Sequence, residues 1–185
     1  MGRRWILTAL GKDRPGIVAR VTKILYALGC NLEDSAMKRL EDEFAVMLIF
    51  SGPARVTEAV LRKAYAPLER RLGLVVHLKA LTGPEASAPK ARRSRCLLSV
   101  YGADRPGIVY RVSQMLAGRS VNIIDVHTHY SGAGKRRRDP SLYSLLLEIE
   151  LPSGTSAAWL QRELKRATRA LGVEASLRPS EADVL

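Results

Sequence analysis

Gly11-Lys12-Asp13-Arg14-Pro15-Gly16-Ile17-Val18-Ala19-Arg20-Val21 recurs as Gly102-Ala103-Asp104-Arg105-Pro106-Gly107-Ile108-Val109-Tyr110-Arg111-Val112, with nine of the eleven positions identical at an offset of 91. The register continues without a gap, so that Leu25 answers to Leu116, Asn31 to Asn122 and Asp34 to Asp125. Self-similarity at one fixed offset is the mark of a structural unit written twice. A chain of 185 residues has room for two small domains. Composition places the first domain over 1–82, a linker over 83–94, the second domain over 95–179 and a tail over 180–185. The linker assignment rests on Thr82-Gly83-Pro84-Glu85-Ala86-Ser87-Ala88-Pro89-Lys90 and the basic residues after it, a composition suited to exposed chain.

Hydrophobic periodicity gives both copies one plan: strand, helix, strand, strand, helix, strand. In the first copy, Trp5 to Leu10 reads as a strand, and Asp13-Arg14-Pro15 as the start of a helix, since proline suits the first turn. Ile17, Val21, Ile24, Leu25 and Leu28 follow at helical spacing, and Gly29 stops the helix. Asn31 to Arg39 and Phe44 to Phe50 read as a hairpin around Glu41-Asp42. A second helix over about Val56 to Leu72, bent near Pro67, and a last strand from Leu74 to Leu81 complete the copy. The second copy repeats this, with strands at Cys96 to Tyr101, Val121 to Tyr130, Leu142 to Leu151 and Val173 to Arg178. Right-handed crossovers put both helices of a copy on one face of its sheet. The fold class expected is therefore α+β, two tandem ferredoxin-like βαββαβ domains, each an antiparallel four-stranded sheet backed by two helices.

The turn between first strand and first helix carries the candidate chemistry. Gly11 and Gly16 let the backbone bend sharply and let a ligand come close. A helix start offers free N–H groups and a partial positive charge, which suit a carboxylate. Asp13 offers an acceptor for an ammonium group, and Asn31, opening the second strand, can both donate and accept. Together they read as a clamp for the two ends of an α-amino acid. The bland alternative stands beside it: Asp13 caps the helix and Asn31 makes a turn.

Gly-x-Asp-Arg-Pro-Gly-Ile-Val, a helix, and then Asn-Leu or Asn-Ile opening the next strand resembles the ACT domain, and the resemblance runs from about residue 4 to 178. It implies ferredoxin-like regulatory modules that bind amino acids at interfaces between paired copies. The tandem pair, with Asn31-Leu32-Glu33-Asp34-Ser35 in particular, resembles the glycine cleavage system transcriptional repressor family. Carried over by position, the resemblance implies ligand contacts at Gly11, Asp13, Pro15, Gly16 and Asn31 in the first copy. The corresponding residues in the second are Gly102, Asp104, Pro106, Gly107 and Asn122. After Ile124 the second copy reads Asp125-Val126-His127 where the first has Asp34-Ser35-Ala36, so the two sites are expected to differ. The function implied is small-amino-acid sensing, with glycine as the ligand suggested, acting through a protein partner such as a transcription activator.

The net charge of +12 points toward acidic partners. It is spread evenly, with +6 in residues 1–84 and +6 in 85–185, which is weaker than a patch would be. A basic nucleic-acid-associated protein is thus one alternative, and a stand-alone regulatory subunit of an amino-acid metabolic enzyme is another. RNA-recognition modules share the fold and stack bases on central-strand aromatics, for which Phe44, Phe50 and Tyr143 are the candidates. The basic-Gly-aromatic-Gly pattern of those modules is missing, as is a helix-turn-helix, which argues against direct nucleic-acid binding.

The sequence contains no Gly-x-Ser-x-Gly, HExxH or paired Cys/His cluster, so a non-enzyme is expected, with no cofactor. His127 and His129 share a strand face but lack a third ligand at metal spacing, so no metal is expected and they read as surface or interface histidines. Lys135-Arg136-Arg137-Arg138, in a glycine-rich hairpin loop, reads as mobile, solvated chain, with a grip on a phosphate or an acidic protein surface as the alternative. Cys30 and Cys96, far apart, read as free thiols. With no apolar run near the roughly 18 residues that span a bilayer and no secretory pattern at the start, the expectation is a cytoplasmic protein with no membrane partner. A homodimer is left open, because sheet edges are commonly covered by pairing.

Overall fold

The computed structural model describes residues 2–81, 94–131, 141–169 and 171–180. The chain divides into two compact units, Met1–Ala88 and Pro89–Leu185. The expected linker and tail fall almost wholly outside the described residues, as does the Lys135–Arg138 run.

The first unit runs β1 (Arg3–Lys12), α1 (Ile17–Ala27), β2 (Asn31–Leu40), β3 (Glu43–Gly52), α2 (Glu58–Leu72) and β4 (Val75–Leu81). The second repeats the order as β5 (Arg95–Ala103), α3 (Ile108–Ala117), β6 (Asn122–Ser131), β7 (Leu142–Glu150), α4 (Ala157–Arg169) and β8 (Val173–Pro179). The sheets are ordered β2-β3-β1-β4 and β6-β7-β5-β8, antiparallel at each pairing. This is the ferredoxin-like arrangement expected, twice.

Alternation explains the first core. Trp5, Leu7 and Ala9 of β1 and Phe44, Val46, Leu48 and Phe50 of β3 point to one face of the sheet. Against them pack Ile17, Val21 and Leu25 of α1 and Leu61, Tyr65 and Leu68 of α2, residues at helical spacing. The Tyr65 hydroxyl donates to the Val21 carbonyl at 3.0 Å, which satisfies a buried polar group and ties the two helices together. The second core is built alike from Leu98, Val100, Leu145, Leu147 and Ile149 with Ile108, Val112, Leu116, Leu160 and Leu164.

The two sheet edges of each unit differ. At β4 the Glu69 carboxylate accepts from the Val76 amide at 3.1 Å. At β8 the Gln161 side-chain amide donates to the Ala175 carbonyl at 2.9 Å while its carbonyl accepts from Leu177, much as a neighbouring strand would. All ten residues of β2 are exposed, and β6 is exposed in nine of ten. Cys30 is half-buried and Cys96 buried. Among the described residues no helix is long and apolar enough to cross a membrane.

One local expectation is corrected. The first helix does not begin at Asp13-Arg14-Pro15. Those residues form a turn closed by the Ile17 amide on the Arg14 carbonyl at 3.3 Å, and the helix starts at Ile17 after Gly16 in the left-handed region, φ +87°. Gly107, φ +94°, makes the same entry into α3. An L-residue pays a steric penalty in that conformation, which explains glycine at both places.

Candidate functional site

The loop after β1 is fixed at its base by the Asp13 amide, which donates to the Asp42 carbonyl of the β2–β3 turn at 2.8 Å. The side chain of Asp13 does not cap α1: no side chain does, and the first turn holds no acidic residue. No side chain therefore accepts from the amides of the first turn, of which that of Ile17 is held by the Arg14 carbonyl. The Asp13 carboxylate instead lies 3.6 Å from the Arg39 guanidinium of β2. Asp13, Arg14, Gly16, Ile17, Val18, Ala19, Met37 and Phe44 line an open groove of about 480 Å³. It is large enough for a small polar molecule and has a carboxylate on its rim. Pro15 is exposed beside it.

The structure does not bring Asp13 and Asn31 of one copy together. Asn31 pairs with Ser51, which pairs with Arg4 at the start of β1, whereas Asp13 follows the end of that strand. Nine residues of extended chain separate the two levels, about 30 Å at the usual rise per residue. A clamp built from both residues within a single copy is thus corrected. The physical reason is the crossover: α1 carries the chain back to the end of the sheet from which β1 began, and β2 starts there.

At that far end the strand is bulged between Leu32 and Asp34. The bulge frees Glu33 to meet Arg4, whose Nε and Nη2 lie 2.8 and 2.7 Å from one carboxylate oxygen. Hydrogen bonding from Arg4 first, and then from Ser51, holds the Glu33 carboxyl below its ordinary range. A group whose folded pKa is lowered contributes stability above its unfolded pKa and loses it as pH falls through the folded value. A carboxyl-resolved NMR titration is expected to place the Glu33 midpoint below that of an ordinary glutamate. Arg4→Gln should move it up toward the ordinary range.

The second copy has the same backbone and different chemistry. The Asp104 amide donates to the Ser141 carbonyl at 3.0 Å, as Asp13 does to Asp42. Where the first copy has Met37, Arg39 and Phe44, the second has Thr128, Tyr130 and Tyr143. Burial is the main cause pushing the Tyr143 phenol up; a hydrogen bond with Thr128 works against it, and the nearby charge of Asp104 adds to it. Asn122 opens β6 opposite Glu150, exposed like Asn31.

Gly11 and Gly102 owe their identity to chain packing. A Cβ on Gly102 would come within 2.8 Å of Val173 Cγ1, 3.0 Å of Val173 Cα and 3.1 Å of the Gly172 carbonyl oxygen. A Cβ on Gly11 would meet Leu74 and Gly73 in the same way. Because two of the atoms around Gly102 belong to backbone, Gly102→Ala is expected to cost about 1–3 kcal/mol through overpacking. Urea unfolding followed by circular dichroism would measure this.

The aromatics considered for base stacking turn inward. Phe44 and Phe50 are buried in the core, and Tyr143 is partly buried against the second core. Among the described residues of the four central strands, Tyr101 is the one exposed aromatic. On β6, His127 Nε2 lies 2.7 Å from the Asp125 carboxylate. No group of three His, Cys, Asp or Glu side chains suited to a metal occurs among the described residues.

Arg39 and Met37 escaped the sequence reading of the site, yet a signal for them exists. A hairpin turning at Glu41-Asp42 sets Arg39 beside Phe44, and the spacing of two puts Met37 on the same side of the strand.

With this geometry in hand, the comparisons take a definite shape. The sequence profile of the ACT domain matches residues 3–79 and 94–132. A glycine cleavage system transcriptional repressor of Escherichia coli (strain K12) is 26% identical over 174 residues, covering 93% of this chain and 87% of that protein. A UPF0237 protein of Methanopyrus kandleri is 38% identical over 74 residues, 40% of this chain and 82% of its own length. In three dimensions, the crystal structure of an unknown protein from Galdieria sulphuraria aligns with a TM-score of 0.78 at 23% identity, over 97% of this chain and 99% of that one. Both halves of the present fold thus have a counterpart in a single chain.

Proposed function

This chain belongs to the ACT domain family, and we propose that it is a sensor of a small amino acid, glycine or one of similar size, which regulates through a protein partner. Over most of its length it is similar to a protein named for transcriptional repression of the glycine cleavage system, and the proposal extends that regulatory role here. The observation that carries it is the groove beside an uncapped helix start with Asp13 on its rim. The positive end of a helix favours a carboxylate and Asp13 favours an ammonium group, so a zwitterion meets complementary charge. A ligand that also touches an Asn31-type strand opening must take it from a different copy of the domain, since the two features stand at opposite ends of the same sheet.

On this reading the protein is a non-enzymatic regulator of the cytoplasm. Ligand binding changes its affinity for a partner such as a transcription regulator, and by linkage the partner changes ligand affinity equally, typically by about 1–3 kcal/mol. Calorimetric titration of the full chain with glycine, alanine, serine and threonine tests the sensing step. Saturable heat with at least one of them at millimolar concentration or below is expected. Absence of heat with all four overturns the proposal. A nucleic-acid reading, motivated by the net charge, predicts instead an RNA affinity that collapses steeply with salt.

A further inference from the structure

The duplicated loop sits in two different chemical settings, and the difference bears on which copy binds. In the first copy Asp13 and Arg39 lie 3.6 Å apart beside the groove, with side chains 35% and 66% exposed. An ion pair this open to solvent is weakly held, so a ligand can part it at little cost. Parted, it presents one negative and one positive group side by side, as an α-amino acid presents an ammonium and a carboxylate on one carbon. The planar guanidinium also matches a carboxylate with two parallel donors. Met37, two residues before Arg39 and exposed, lines the groove with Val18 over the buried ring of Phe44. This is an adaptable apolar surface for a small side chain.

The second copy replaces Arg39, Met37 and Phe44. Tyr130 stands where Arg39 does, and Tyr130 pairs with Tyr143 in the ladder as Arg39 pairs with Phe44. A phenol can donate one hydrogen bond but brings no positive charge. Thr128, in the place of Met37, brings a short hydroxyl side chain where the first copy has a long apolar one. Asp104 could still take an ammonium group, yet the aligned position offers nothing cationic for the carboxylate.

We propose that the first copy alone receives the amino acid, with Asp13 holding its ammonium group and Arg39 its carboxylate, so that each chain binds one ligand. The assignment rests on the amino-acid-sensing reading given above and adds to it a residue, Arg39, and a stoichiometry. The second copy keeps the fold of a sensor and serves the first or a partner.

Calorimetry on the full chain with glycine and glycinamide, which keeps the ammonium group and lacks the carboxylate, tests this. Glycine should bind with a stoichiometry of one. Arg39→Tyr, which imports the residue of the second copy, should weaken glycine by at least about tenfold, the scale of a charge-assisted hydrogen bond. Glycinamide should bind the wild type weakly and lose nothing further in Arg39→Tyr, a pattern that a merely structural role for Arg39 would not produce. Arg39→Lys should keep part of the affinity, and Asp104→Asn should leave it within about twofold, as expected for a separate site.

Arg39 is exposed on an edge strand, so these variants should fold, and fluorescence of the buried Trp5 verifies it. Two ligands per chain, glycine affinity unchanged in Arg39→Tyr, or affinity abolished by Asp104→Asn would each overturn the assignment while leaving amino-acid sensing intact. No heat from the wild type with glycine or the other small amino acids would overturn the sensing reading and this assignment together.

Discussion

Phe50→Ala is expected to remove about 3–5 kcal/mol from the stability of the first unit, a large share of what a small domain has. Phe50 is fully buried and lies in register with Trp5 on one side and Leu32 on the other. The β1–β3 ladder runs past Phe50 without a register break, so the backbone on that side cannot close over the space left by the ring. The cost is then the transfer term plus a cavity that stays open.

The chain supplies its own reporter. Trp5 is buried in the same core, while Trp159 belongs to the second unit, under the Arg119 guanidinium at 5.5 Å. In a Trp159→Phe background, urea unfolding followed by Trp5 fluorescence should show a lower midpoint with an unchanged slope. A loss below about 1 kcal/mol would mean that the core repacks, contrary to the packing argument.

Asp13→Ala is expected to weaken binding of the amino acid by about tenfold or more while leaving the fold almost untouched. The carboxylate makes no capping bond, and its contact with Arg39 is open to solvent. The structural tie of the residue is its amide to Asp42, which alanine retains. A helix cap would cost about 1 kcal/mol on removal, whereas an exposed ion pair costs a few tenths. Paired measurements of affinity by calorimetry and of stability by urea unfolding therefore separate the two roles of Asp13. Lost binding with unchanged stability supports the ligand role. A stability loss of cap size with unchanged binding would return the residue to bland structure.

Much of the fold was legible because two codes agreed. The offset of 91 between the copies announced the duplication, and the change of hydrophobic period from two to about four marked each strand and helix. The hairpin turn at Glu41-Asp42 is found where it was expected, with Glu41 at a positive φ. Four features resisted. The entry to α1 is a turn because Gly16 takes a left-handed conformation, and proline one residue ahead of such a glycine reads locally like a first helical turn.

The pairing of Asp13 with Asn31 failed for a different reason. Both residues begin a new element, and local pattern cannot say that the elements begin at opposite ends of the sheet; crossover topology does. Arg39 stayed hidden because a lone cation on an exposed strand resembles solvated surface until the turn is placed. The Arg4–Glu33 contact required the bulge between Leu32 and Asp34, for which the sequence gives no clear signal.

Isotope-labelled full-length protein titrated with glycine, with backbone amide shifts followed by NMR, tests the sensing claim most directly. Saturable shifts are expected, concentrated at Asp13, Gly16 to Ala19 and Met37 to Arg39. A spectrum unmoved by millimolar glycine would contradict that claim. So would shifts centred elsewhere, for instance on the groove between α4 and β8 lined by Lys165, Arg169 and Glu174.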